Sequence, residues 1–156
     1  MILYLAGPMR AMPNYGFQVF EDAKQYLLHR DFQVVSPHDI DINEHRVKIA
    51  CRVEGTANGY RRVFEDVELS PTFSMAWAMR RDLTEVAACD GIVLLPGWRG
   101  SVGATREAVV AYWCGLRFFE YTPAIPEHHQ SGRLTAIVPD ELTLIGLLPL
   151  PLAKAA

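Results

Sequence analysis

The opening residues constrain this chain most: Met1-Ile2-Leu3-Tyr4-Leu5-Ala6-Gly7-Pro8 begins as a continuous apolar run and breaks at a glycine and a proline. Such a run reads as a strand covered on both faces, because a half-exposed strand would alternate. Phe17, Phe20, Ala23, Leu27 and Leu28 then recur at helical spacing with charges between them, which predicts an amphipathic helix over about residues 16 to 30. A second strand follows at Phe32 to Val35 and stops at Ser36-Pro37. Strand, loop, helix and strand in this order form the unit from which parallel sheets are built, so the expected fold class is α/β.

From Asp41 to Ser74 the pattern loses its period, mixes charges of both signs and holds Gly55, Gly59 and Pro71. It reads as an excursion, or lid, without clear strands. Met75, Met79, Leu83, Val86 and Ala87 restore helical spacing up to Ala88, and Gly91 in Cys89-Asp90-Gly91 is placed to cap that helix. Ile92 to Leu95 reads as a third buried strand, and Pro96 to Ala104 as a glycine-rich loop feeding a helix from about Thr105 to Cys114. Phe118 to Tyr121 and Leu134 to Val138 are further candidate strands. The 156 residues are expected to form a single domain, with 41–74 as the lid and 122–156 as a tail packing on the core or on a neighbour.

Charge excludes some functions. Fifteen Lys+Arg against 18 Asp+Glu give a net charge of −3, which offers no grip on a nucleic-acid polymer or an anionic membrane. Cys51, Cys89 and Cys114 lack the paired spacing of a zinc site or disulfide framework, so free thiols in a reducing cytoplasm are expected. His38, His128 and His129 have no third ligand at metal-binding spacing, and neither metal nor cofactor is expected. The first apolar run is too short for a signal peptide or a membrane span. The run Leu142 to Leu152, broken by Gly146, Pro149 and Pro151, reads as a surface for packing on a neighbouring copy.

Ligands of open parallel sheets lie beyond the carboxyl ends of the strands, where loops and helix N-termini converge. Two loops suit that place. In Gly7-Pro8-Met9-Arg10 a glycine lets backbone approach a ligand and Arg10 offers a charged fork; Trp98-Arg99-Gly100-Ser101-Val102-Gly103-Ala104 opens a helix whose free N–H groups favour an anion. Neither has the spacing of a Walker or dinucleotide fingerprint, and each is equally an ordinary strand-to-helix turn. Glu107 falls in the first turn of the helix leaving the second loop, where the helix dipole favours a carboxylate. Asp82 follows Arg80 and Arg81 on the preceding helix. Read plainly, the first is a stabilising first-turn acid and the second a solvated carboxylate. Read chemically, they are the nucleophile and proton donor of glycosidic cleavage with retention, which needs two carboxyl groups about 5 Å apart.

Five stretches in order carry a resemblance. They are Tyr4-Leu5-Ala6-Gly7-Pro8-Met9-Arg10; Asn14-Tyr15-Gly16-Phe17 with Phe20; Val34-Val35-Ser36-Pro37; Met79-Arg80-Arg81-Asp82-Leu83 with Cys89-Asp90-Gly91; and Leu94-Leu95-Pro96-Gly97-Trp98 with Ser101-Val102-Gly103-Ala104 and Glu107. Over roughly residues 2 to 121 the chain resembles the DUF4406 group of small proteins, related to nucleoside 2-deoxyribosyltransferases and nucleoside 5′-monophosphate N-glycosidases. The resemblance implies a flavodoxin-like, three-layer fold. It implies that Glu107 attacks C1′ of the sugar and that Asp82 protonates the departing base or activates water. It further implies that Tyr4 stands near the nucleophile and that Gly7, Pro8, Met9 and Arg10 line the sugar and phosphate pocket.

Six residues before Glu107 the deoxyribosyltransferases are similar in carrying an acid that holds a free 5′-hydroxyl, whereas the monophosphate hydrolases carry a serine; this chain has Ser101. A hydroxyl there can donate to a phosphate dianion that a carboxylate would repel. Arg10 and Arg99 would add charge, Gly103 would let the ligand approach, and Tyr15, Phe17, Phe73 and Trp77 are candidates to hold the base, though aromatics at these spacings equally suit a core. The expected activity is hydrolysis of the base–sugar bond of a (deoxy)nucleoside 5′-monophosphate through a covalent glycosyl-enzyme. Transfer of deoxyribose between bases and nucleotide binding without chemistry are the alternatives. A homodimer or larger homo-oligomer is expected by the same resemblance.

Overall fold

The computed structural model describes residues 1–57, 59–128 and 130–140, with Thr143 and Gly146. The chain runs β1 (Ile2–Ala6), α1 (Phe17–Leu28), β2 (Gln33–Val35), α2 (Pro37–Asn43), β3 (Val47–Thr56), β4 (Gly59–Leu69), α3 (Met75–Ala88), β5 (Gly91–Leu94), α4 (Val102–Trp113), β6 (Arg117–Thr122) and β7 (Arg133–Ile137). The main sheet has the order β2-β1-β5-β6-β7, parallel except for the last strand. It is a mixed α/β architecture with a mostly parallel sheet, as the opening residues predict.

The continuous apolar run of β1 follows from cover on both faces. Tyr4 and Ala6 join Ile92 and Leu94 in a cluster with Val86 of α3 and Ala104, Ala108, Val109 and Ala111 of α4. Leu3 and Leu5 join Val93 on the opposite face with Phe20, Ala23 and Leu27 of α1. Each large apolar side chain buried this way contributes roughly 1.5–3 kcal/mol.

Gly91 is not the helix cap its position suggests. The backbone at Cys89, where α3 ends, is extended, and Gly91 begins β5 between Leu3 and Arg117. A Cβ there would lie 2.8 Å from Leu3 Cδ2 and 3.0 Å from the Arg117 carbonyl oxygen. Close approach of neighbouring strands, rather than helix termination, requires the glycine.

The stretch read as lacking strands contains two. β3 and β4 form an antiparallel ribbon apart from the main sheet, with a register shift between Ala50 and Cys51. Most of β3 is exposed, so burial enforces no clean alternation and the periodic signal is lost. The base of the ribbon packs Phe64 and Val67 on Phe17. The Gln18 side chain accepts from the Phe64 N–H at 3.0 Å and donates to the Arg62 carbonyl at 3.1 Å, pairing an edge of β4 that no strand covers.

A partly buried charge cluster anchors the ribbon. Arg62 donates to Glu21 Oε2 at 2.7 Å and to Asp39, and Lys24 bonds Asp39 at 2.9 Å. His38 Nε2 pairs with Glu21 Oε2 at 3.1 Å and Nδ1 with Ser36 Oγ at 2.6 Å, and the burial of the ring favours its neutral form. Burial lowers its pKa accordingly. Folding brings Glu21 to His38 and its sequence neighbour Asp39: one ligand atom from each of the three lies within 4.8 Å of the others. Arg62 and Lys24 already neutralise those carboxylates.

Helix α4 begins three residues earlier than its glycines suggest. Ser101 Oγ accepts the Ala104 N–H at 3.3 Å, and this N-cap outweighs the low helix propensity of Gly103. Glu107 consequently stands in the second turn, not the first. All three cysteines are free, and among the described residues no helix is long and apolar enough to cross a membrane. His129 and, apart from Thr143 and Gly146, the run 142–152 lie outside the described residues.

Candidate functional site

The strand order reverses at β1, which has β2 on one side and β5 on the other. Chains leaving such a point diverge to opposite faces and open a crevice. Here a cavity of about 700 Å³ is lined by the loop after β1, the start of α1, α2, the end of β4, α3 and the first turns of α4. That volume suits a small-molecule ligand.

Glu107 and Asp82 both line it. The Tyr4 phenol, fully buried on the α4 side of β1, donates to Glu107 Oε1 at 2.9 Å. Burial pushes the Glu107 carboxyl up to about 8, with the Asp82 charge adding to the rise and the Tyr4 hydrogen bond and Arg81 opposing it. In the second turn the helix dipole no longer compensates desolvation. Burial raises Asp82 to about 6, against the pull of the Arg81 guanidinium. Both acids are thus raised, and Glu107, the expected nucleophile, is the more readily protonated of the two.

Asp82 is held by Arg81, which also donates to Asp41 Oδ1 at 2.7 Å. Asp41, from α2, lines the cavity as well. Sequence reasoning missed it because nothing in Ser36-Pro37-His38-Asp39-Ile40-Asp41 marks which acid turns inward.

Gly7, Pro8, Met9, Arg10, Phe17, Ser101 and Gly103 line the cavity as their positions suggest, and so do Tyr15 and Phe73. Tyr15 is set in the wall by a left-handed turn: Asn14, Tyr15 and Gly16 have φ of 47°, 54° and 68°. Left-handed backbone costs an ordinary residue roughly 1–2 kcal/mol. Asn14 Nδ2 donates to the Glu65 carbonyl of the ribbon at 3.3 Å, and a Cβ on Gly16 would meet the Pro8 carbonyl oxygen at 2.7 Å.

Two expected contributors lie elsewhere. Arg99 is not among the lining residues: its guanidinium stacks 4.5 Å from the centre of the Trp98 ring and pairs with Glu120 at 3.1 Å. The same Glu120 oxygen accepts from the buried Trp98 indole N–H, which gives Trp98 a structural place at the end of β6. Trp77 does not line the cavity either; Arg46 and Arg81 cover its ring at 4.1 and 5.2 Å. The second cation at the cavity, beside Arg10, is Arg106, one residue before Glu107. Helical phase could have found it, since Val102 and Arg106 share a face of α4.

The family model described as a domain of unknown function, DUF4406, matches residues 51–119 of this chain, in agreement with the resemblance its motifs carry. The match spans part of the ribbon, α3, β5, α4 and the start of β6, and so includes Asp82, Ser101 and Glu107. No curated protein and no solved structure matches the chain.

Proposed function

On the premise of the DUF4406 match, we propose that this protein is an N-glycosidase that hydrolyses the base–sugar bond of a (deoxy)nucleoside 5′-monophosphate. The observation that carries the reading is the pair Glu107 and Asp82 in one cavity, electrostatically coupled, with Tyr4 donating to the first and Arg81 to the second. A coupled pair titrates as a unit. The reactive form has Glu107 ionised and the proton on Asp82. Positive charge developing at C1′ favours that form, since it is stabilised by an ionised Glu107.

In the first step a Glu107 oxygen bonds to C1′, the C1′–N bond breaks, and the base nitrogen takes the Asp82 proton. In the second, water attacks C1′, the Asp82 carboxylate takes its proton, and Glu107 leaves as a carboxylate. Base and sugar 5-phosphate are the products. The 5′-phosphate end is read at Ser101, whose oxygen accepts from the helix and whose hydroxyl proton remains available, at Arg10, and at Arg106, which takes the place of Arg99. The β3–β4 ribbon and the turn at Asn14–Gly16 act as the lid over the base, with Tyr15, Phe17 and Phe73 as its aromatic walls.

The test is incubation with ribo- and deoxyribonucleoside monophosphates and free nucleosides, with and without a second base, followed by chromatography of the products. Free base from monophosphates without acceptor is expected. A new nucleoside formed only with acceptor would make the protein a transferase, and binding without turnover would make it a nucleotide-binding module.

A further inference from the structure

Arg81 contacts Asp82 in an unusual way. An arginine fork on a carboxylate normally places one nitrogen on each oxygen. Here Nε donates to Asp82 Oδ1 at 2.8 Å and Nη2 lies 2.7 Å from the same Oδ1. The third nitrogen, Nη1, donates to Asp41 Oδ1 at 2.7 Å and lies 3.6 Å from Glu44 Oε2. Adjacent residues of a helix point in different directions, so Arg81 and Asp82 do not meet by helical geometry alone; α2 holds the far end of the guanidinium. The Arg81 side chain is 9% exposed, which keeps the contact from being dispersed by solvent.

We propose that Arg81 is a positioning residue that grips Asp82 by Oδ1 and thereby fixes the transferable proton on Oδ2, the oxygen left to the ligand. An oxygen that accepts one charge-assisted hydrogen bond and lies 2.7 Å from a second guanidinium nitrogen is a poor site for a proton, so the proton resides on its twin. Asp82 thus presents one defined donor to the departing base, without the carboxyl rotation that an unheld acid would need. Asp41 serves as the anchor of Arg81. The groups facing Asp82 are Arg81 on its own helix, Asp41 and Glu44 from α2 and its end, Glu107 from α4 and the Tyr4 phenol from β1. The donor role rests on the glycosidase reading; the grip itself does not.

Two measurements on Arg81→Lys and Arg81→Gln test this. The first is carboxyl 13C NMR titration of aspartate-labelled protein, with Asp82 assigned through Asp82→Asn. In Arg81→Gln, Asp82 is expected to titrate about one to three pH units higher, and in Arg81→Lys by less, since an ammonium keeps the charge but not the fork. The second is steady-state base release, where both variants should lose roughly tenfold to a hundredfold in kcat with KM little changed. Asp82 titrating as in the wild type, or a loss confined to KM, overturns the proposal. If the wild-type protein releases no base from any nucleotide, the glycosidase reading falls, and the titration alone decides the grip: a raised Asp82 sustains it and an unmoved one overturns it.

Discussion

The Tyr4 phenol and the Glu107 carboxyl, 103 positions apart in sequence, meet in a buried hydrogen bond of 2.9 Å between β1 and α4. It favours the ionised carboxyl against the desolvation that raises it. Because the reactive form has Glu107 ionised and Asp82 protonated while Glu107 is the higher of the two, Tyr4→Phe should move Glu107 further up, lower the maximum of the kcat–pH profile and shift its upper limb to higher pH. Rate measurements from pH 5 to pH 9 check this; a profile that does not move would detach Tyr4 from the nucleophile.

Raised acids also predict how stability varies with pH. Glu107 and Asp82 bind protons more tightly folded than unfolded, so their stabilisation is fully present below the ordinary carboxyl range and is lost as pH rises through about 6 and about 8. His38 works oppositely: its pKa is lowered, so its contribution is lost as pH falls below its ordinary value. Above pH 6.5 the carboxyl pair dominates. The wild type should lose stability between pH 6.5 and pH 8.5, and Glu107→Gln should flatten that slope while abolishing base release by at least about a thousandfold. Urea denaturation at several pH values separates the two curves.

The phosphate end distinguishes two arginines. Arg106 lines the cavity and Arg99 is committed to Glu120 and Trp98. Arg106→Gln should raise KM for a nucleoside monophosphate about tenfold, whereas Arg99→Gln should leave it within about twofold. Ser101→Asp should favour free nucleosides over monophosphates by a further factor of about ten to a hundred, because a carboxylate repels the phosphate dianion.

The ribbon depends on one partly buried guanidinium. Arg62 serves Glu21, which is 1% exposed, together with Asp39. Without Arg62, Glu21 keeps His38 and Lys24 and Asp39 keeps Lys24, so Arg62→Met should cost the charge-assisted hydrogen bonds alone, about 2 kcal/mol. Hydrogen exchange should show protection lost first in β3 and β4. Loss spread evenly over the main sheet would mean the cluster does not anchor the ribbon.

Sequence alone determined the α/β class, the buried first strand, the helix around Met75 to Ala88 and the place of Glu107 and Ser101 near the strand ends. Burial on both faces and helical spacing are periodic signals that survive in one dimension. Tertiary structure decided the rest. Whether Arg99 or Arg106 reaches the cavity depends on the partner each finds, and Glu120 claims the first from β6. The ribbon was hidden because its outer strand answers to solvent on most of its length. Asp41, Arg81 and Asp82 come together only when α2 is laid beside α3, and Tyr4 meets Glu107 only when β1 is covered by α4. Burial by segments distant in sequence raises both carboxyls, and local spacing holds no record of which segments those are.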